Sequence, residues 1–137
     1  MDMKFYISGL QRSGTNYLSS LLTENFFELS HCNAGRTSAV WKHHVEPANG
    51  LQKEIEERKP TAWFMIYKNP YTWVESICER NRVDYTNTQD KFGKSDQGGF
   101  LYGKNNINVE HLAKTWNHWV KMWLLETPPY VQNMHAV

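Results

Sequence analysis

Two glycines, Gly9 and Gly14, bound a polar loop, Gly9-Leu-Gln-Arg-Ser-Gly14. An apolar, β-prone stretch precedes it (Phe5, Tyr6, Ile7), and a segment with Leu18, Leu21 and Leu22 on one helical side follows. A strand, a glycine-bounded loop and a helix start in that order make a candidate anion site. The first helical turn leaves backbone N–H groups unpaired, and the helix dipole puts partial positive charge beside them. The two glycines let the backbone wrap closely around a phosphate. The candidate contacts are the backbone N–H groups from Ser13 through Gly14 and Thr15 to Asn16, the hydroxyls of Ser13 and Thr15, and the cation Arg12. The glycine spacing is that of a Walker A loop, but Thr15 and Asn16 stand where that motif carries lysine and Ser/Thr. A nucleotide kinase or NTPase, which needs that lysine and a metal-holding Asp at a strand end, is therefore the rival enzyme reading.

Two further basic groups are candidates for chemistry. One is Lys42-His43-His44, in a β-prone piece from Val40 to Val45 that Pro47 ends. The other is Lys68, at the end of Ala62-Trp-Phe-Met-Ile-Tyr67, the most apolar run in the chain and an expected central strand. Asn69 and Pro70 suit the N-cap and first position of a helix that runs to about Arg82, with Trp73, Val74, Ile77 and Cys78 inward and Arg80 and Arg82 as a solvated end. Other helices are expected over about 14–26, over Asn49–Lys59 with Leu51 and Ile55 as contacts, and over Val109–Glu126. The last of these carries Leu112, Trp116, Trp119, Val120, Trp123 and Leu124 at helical spacing, a stripe that reads as core packing. Strands are expected at 4–8 and within Phe27–Cys32, and a loop at Asn33–Ser38; the tail after Pro129 is too short to classify. The long polar segment 84–108 has the length of a lid or binding loop and is the expected acceptor-contacting segment. Strands alternating with helices predict an α/β protein with a mostly parallel sheet, whose ligands bind beyond the carboxyl ends of the strands. Arg12, the Lys42–His44 group and Lys68 should then meet on one sheet edge.

Composition limits the partners. The 137 residues suit one domain, residues 1–137, and a chain of that length buries roughly two-thirds of its unfolded surface. Hydrophobic content of 40% and charged content of 21% are those of a soluble globular chain. A net charge of +1 supplies no global field for nucleic acid or an anionic membrane, so anion binding must be local. No apolar run has the length of a membrane span, and the first strand starts too early for a signal peptide. Cys32 and Cys78 make no disulfide framework, and the cytoplasm is the expected compartment. His31, Cys32, His43 and His44 fit no zinc-finger spacing.

Three separated segments resemble the sulfotransferases that use 3′-phosphoadenosine 5′-phosphosulfate (PAPS). Gln11-Arg-Ser-Gly-Thr-Asn-Tyr17 is similar to the family's 5′-phosphosulfate loop, Pro-Lys/Arg-Ser-Gly-Thr-Thr-Trp. Ile66-Tyr-Lys-Asn-Pro-Tyr-Thr-Trp-Val-Glu-Ser76 is similar to its 3′-phosphate segment, with Lys68 and Ser76 eight apart as in the family. Trp41-Lys-His-His44 is similar to its Lys-x-His acceptor-site motif, and Trp116–Trp123 less specifically to a tryptophan-containing helix. The likeness runs from about residue 4 to 123.

The resemblance implies a three-layer P-loop-like sulfotransferase fold. It implies in-line transfer of a sulfuryl group from PAPS to a hydroxyl or amine of a small-molecule or carbohydrate acceptor, leaving adenosine 3′,5′-bisphosphate (PAP) and needing no metal. Ser13 to Asn16 would hold the 5′-phosphosulfate, Arg12 would stabilise the leaving oxygen, and Lys68 and Ser76 would bind the 3′-phosphate. Tyr17 would stack on adenine or else be core. Lys42 would contact the sulfonate, and His44 (by the Lys-x-His register) or His43 (by an adjacent Lys-His) would be the base. The chain departs from the pattern where Lys68 replaces Arg and Tyr17 replaces Trp. It is also shorter than most members and carries no match to their basic, glycine-containing C-terminal phosphate segment. A domain that binds the nucleotide without turnover is the non-enzymatic alternative.

Overall fold

The computed structural model describes residues 3–81 and 109–137. The polar segment 84–108 and Arg82 lie outside the described residues, as does the side chain of Arg80. The elements are β1 Met3–Ser8, α1 Thr15–Asn25, β2 Leu29–His31, α2 Leu51–Arg58, β3 Ala62–Met65, α3 Pro70–Asn81, α4 Val109–Trp119, and β4 Met134–Ala136. A π-helical stretch, Val120–Leu125, continues α4. The four strands form one sheet in the order β2-β1-β3-β4, and every pairing is parallel.

Alternation along β1 sends its side chains to two apolar layers. Phe5 and Ile7 pack with Leu18 of α1 and with Ile66. Tyr6 packs on the other face with Leu51 and Ile55 of α2, Trp73 and Ile77 of α3, Leu112 and Trp119 of α4, and Trp123. The sheet is thus covered by α1 on one face and by α2, α3 and α4 on the other. Right-handed crossovers require this arrangement. The chain leaves β1 toward β2 on one side, then returns across β1 to β3, so the covering helices change faces.

Two expectations are corrected. Val40–Val45 is not a strand: Trp41 N–H donates to Ser38 O and His44 N–H to Trp41 O, which are tight turns. Both sides of β1 are already taken by β2 and β3, so this apolar piece has no place beside it in the sheet. It turns inward instead, burying Val40, Trp41 and His44. Leu21 is 44% exposed, although Leu18 and Leu22 of the same helix pack on the sheet, because α1 meets the sheet along a narrow stripe. The tail, which the sequence left unclassified, supplies β4, with Met134 opposite Trp63 and Ala136 opposite Met65.

Trp123 is fully buried at the centre of the larger layer, 6.4 Å from the ring centres of both Tyr6 and Trp63. Trp123→Ala is expected to lower the unfolding free energy by about 3–5 kcal/mol, read as a shift of the urea midpoint. A loss below about 1 kcal/mol would show that Trp123 does not anchor this layer.

Candidate functional site

The loops after β1 and β3 leave the sheet toward opposite faces. That reversal opens a crevice at the carboxyl ends of two adjacent strands, the usual ligand position in open α/β sheets. The first loop needs its glycines. A Cβ on Gly9 would lie 2.7 Å from both Cγ2 and the carbonyl oxygen of Ile66, and 2.9 Å from Thr15 Cγ2. Gly14, the N-cap of α1, sits in the left-handed region at φ 94°. Arg12 adopts φ 68°, a conformation that costs a non-glycine residue roughly 1–2 kcal/mol. That strain sits at the loop's single cation.

No side chain caps α1, and its first turn holds no acidic residue. The backbone N–H groups of Thr15 and Asn16 therefore keep their capacity for an anion. The N–H of Ser13 does not, because it already donates to Leu10 O at 3.1 Å. Thr15 and Ser13 are buried beside the loop. Tyr17 is 72% exposed, so of its two sequence readings the structure excludes core packing.

Arg12 Nε donates to Ser76 Oγ at 3.3 Å across a separation of 64 residues. The cation of the first loop and the serine of α3 thus meet directly. Lys68 lies between Ile66, which packs against Gly9, and Asn69, whose Oδ1 accepts Tyr71 N–H at 2.9 Å and caps α3. Lys42 Nζ donates to Asn16 Oδ1, and the Lys42 carbonyl accepts Gly9 N–H at 2.9 Å. The third basic group therefore docks on the same loop and helix start, by a turn rather than by a strand end. Burial lowers the Lys42 ammonium from its ordinary value.

The two histidines differ. His44 is buried, its Nε2 is 2.9 Å from Ser38 O, and its own carbonyl accepts Trp123 Nε1–H at 3.1 Å. His43 Nδ1 lies 2.8 Å from Gly9 O. In the neutral ring Nδ1–H donates to that carbonyl, leaving Nε2 as the basic nitrogen. Burial is the main cause that holds His43 down at about 4. The Gly9 carbonyl opposes the shift, and Lys42 and His44 add to it. His43 is thus neutral across the physiological range.

Sequence reasoning read the tryptophans as core and missed their second role. Trp73 Nε1–H donates to Gln11 O at 2.7 Å, Trp116 to Lys68 O at 2.9 Å, and Trp123 to His44 O at 3.1 Å. Each indole fixes the main chain of a different site loop. Only the polar edge of these rings hinted at it: a buried indole N–H needs an acceptor, and loop carbonyls are the ones left unpaired.

The cations of this edge meet neutral partners. Among the described residues Arg58, Lys114 and Lys121 pair with carboxylates, whereas Arg12 and Lys42 meet the neutral groups of Ser76 and Asn16. Compared with known protein families, curated proteins and solved structures, the chain matches none.

The His43 shift has a measurable consequence. Between about pH 6.5 and 4 the unfolded imidazole takes up a proton that the folded one refuses. Its contribution is therefore constant above pH 6.5 and lost as pH falls toward 4, by up to about 3 kcal/mol. Urea midpoints of the wild type should fall across that window, and His43→Gln should flatten the slope. An unchanged slope in the variant would show that His43 titrates normally.

Proposed function

We propose that this chain is a PAPS-dependent sulfotransferase with a P-loop-like sulfotransferase fold. The observation that carries the reading is the Arg12–Ser76 contact at 3.3 Å. It joins the two segments that resemble the 5′-phosphosulfate loop and the 3′-phosphate segment, at the crevice where the sheet's connections reverse. A doubly phosphorylated nucleotide can be held there at both ends. Its 5′ end would meet the start of α1 and Arg12; its 3′-phosphate would meet Lys68 and Ser76. Ser76 is already within hydrogen-bond reach of Arg12, so its hydroxyl is shared by the two anion sites.

PAPS, when bound, supplies the sulfuryl group and a phosphate leaving oxygen. The chain supplies position and charge, which dominate transfers of this kind. The N–H groups of Thr15 and Asn16 hold oxygens at the helix start. Arg12 stabilises negative charge where the leaving oxygen departs, and Lys42 offers a second cation to the sulfonate. His43 is the base: its Nδ1 is anchored on Gly9 O, which leaves Nε2 to accept the acceptor's proton. An anion bound beside it raises its proton affinity from the low value of the free protein. His44, held from both its ring and its carbonyl, positions the turn. Tyr17, exposed on the first turn of α1, is free to stack on adenine. Lys68 grips phosphate as a point charge without arginine's planar fork, which favours a looser hold on the 3′ end. Cys32 and Cys78 are buried and not joined in a disulfide, which suits a cytoplasmic enzyme.

Calorimetry on the full chain tests the reading. PAP should bind without magnesium and more tightly than ATP–magnesium, and Lys68→Ala should weaken PAP by about tenfold, the loss of one charged hydrogen-bonding partner. Preference for ATP–magnesium would favour a kinase. In a transfer assay Arg12→Ala should cut kcat by roughly a hundredfold or more. PAP binding with no turnover on any acceptor would favour the non-catalytic binder.

A further inference from the structure

Beside the helix start lies a cleft of about 440 Å³, between α1 and the turn that follows β2. Its volume falls within the roughly 300–1,000 Å³ of small-molecule sites. Its walls do not follow the usual pattern, because such sites are lined mainly by hydrophobic and aromatic side chains. Here α1 contributes Asn16, Ser19 and Ser20, and the opposite wall contributes His31 and Lys42, with apolar side chains from Ile7 and Ala34. Asn33 also borders the cleft but is committed to the fold. Its Oδ1 accepts Ile7 N–H at 3.0 Å, and its Nδ2 donates to the carbonyls of Ile7 and Val40 at 2.9 and 3.0 Å.

We propose that this cleft is the acceptor site and that it takes a neutral or acidic polyhydroxylated molecule, a sugar or a polyol. This rests on the sulfotransferase reading and narrows it. Three features carry it. The lining groups are hydroxyls, an amide, an imidazole and an ammonium, which can donate to or accept from several hydroxyls at once. Among the described residues that line it there is no Phe, Tyr or Trp, so these walls offer a phenol no flat apolar slot for its ring. No carboxylate is among those described lining residues either, and Lys42 is the charged group among them, so an amine acceptor would meet repulsion from these walls without a counter-ion.

Position fits the same role. Lys42 both lines the cleft and bonds Asn16 in the first turn of α1, so the cleft opens beside the anion-binding backbone. The Lys42 carbonyl is tied to Gly9 N–H, and Gly9 O anchors His43. A hydroxyl at the Lys42 end of the cleft would therefore lie beside the turn that carries the base. Its oxygen would form the new bond to sulfur as the sulfur–oxygen bond to the phosphate breaks, with its proton passing to His43 and PAP leaving.

The experiment uses the full chain with radiolabelled PAPS and measures PAP affinity in parallel. The acceptors are the methyl glycosides of glucose, galactose, N-acetylglucosamine and glucuronic acid, with myo-inositol, 4-nitrophenol and tyramine. At least one sugar or inositol should be sulfated with kcat/KM at least tenfold above that for 4-nitrophenol and tyramine. Ser20→Trp, at an exposed position of α1, should fill the cleft and raise KM for that acceptor at least tenfold while leaving PAP affinity within twofold. Sulfation of 4-nitrophenol or tyramine in preference to every sugar and polyol overturns the acceptor inference alone, whereas PAP binding with no turnover on any acceptor removes the sulfotransferase reading and the inference with it. An unchanged KM in Ser20→Trp overturns the placement in this cleft. Failure of PAP to bind removes the underlying reading and the inference with it.

Discussion

Among the described glycines the tightest constraint is the approach of Gly9 to Ile66. No side chain larger than hydrogen fits there, because a Cβ would overlap both the side chain and the carbonyl of Ile66. The contact is where the loop leaving β1 touches the loop leaving β3. Parallel pairing of the two strands, Phe5 opposite Ala62 through Ser8 opposite Met65, delivers both loops to the same edge. Ile66 N–H then extends the ladder by donating to Ser8 O at 2.9 Å. With the two loops fixed at that spacing, α1 and α3 depart toward opposite faces, and their first turns face a shared crevice. Arg12 reaches Ser76 for this reason. A larger residue at position 9 would push the loops apart and separate the groups proposed to hold the two ends of one nucleotide.

The larger apolar layer does more than exclude water. A tryptophan buries a large apolar surface and carries one obligatory donor. Three of these rings aim that donor at the loops of the crevice edge, so packing of the core and placement of the site are the same interaction seen from two ends. A single neutral hydrogen bond contributes about 1 kcal/mol to stability, but losing it strands a buried N–H and frees a loop carbonyl. The site loops are therefore held from beneath, by rigid rings rooted in α3, α4 and the π-helical stretch. Their outward surface carries the N–H groups, hydroxyls and cations proposed to meet a ligand. This division is what preorganised electrostatic catalysis requires: charges aimed in advance, on a support that does not move when the charge on the substrate changes.

Local chemistry made much of this legible in the sequence. The strand, glycine loop and helix start from Phe5 to Leu22 announce themselves by period and by glycine spacing, and Asn69-Pro70 announces the start of α3. Long-range competition hid the rest. Val40–Val45 has strand propensity, but both neighbours of β1 are supplied by other segments, so the propensity is overridden. Alternation then gave no guide to the two histidines. Their roles follow from which carbonyl each ring meets, Gly9 or Ser38, and no local pattern encodes that. The tail's strand was hidden for the opposite reason. Met134–Ala136 has little pattern of its own and is ordered by the free edge of β3. Asn133 supports it there, its carbonyl accepting Trp63 N–H at 3.2 Å and its side chain donating to Thr61 O.

The charge arrangement is compatible with the proposed anion site in a chain with a net charge of only +1. Elsewhere on the described surface some basic side chains sit within reach of acids, as Arg58 does with Glu54 one helical turn away at 2.8 Å. Such pairs cancel at short range and contribute little to stability when exposed. At the crevice the partners of the cations are a hydroxyl and an amide, which orient a guanidinium or an ammonium without neutralising it. The field of Arg12 and Lys42 therefore survives where the α1 dipole adds to it, and a Debye length of about 8 Å at physiological salt confines its effect to that edge. Lys42 is held partly out of water, which raises the strength of its interaction with any anion that enters. A neutral His43 beside them completes the pattern. Burial first, and the neighbouring Lys42 and His44 after it, keep the proton off its ring, so an anion bound beside it would raise its basicity, as the proposed role of base requires.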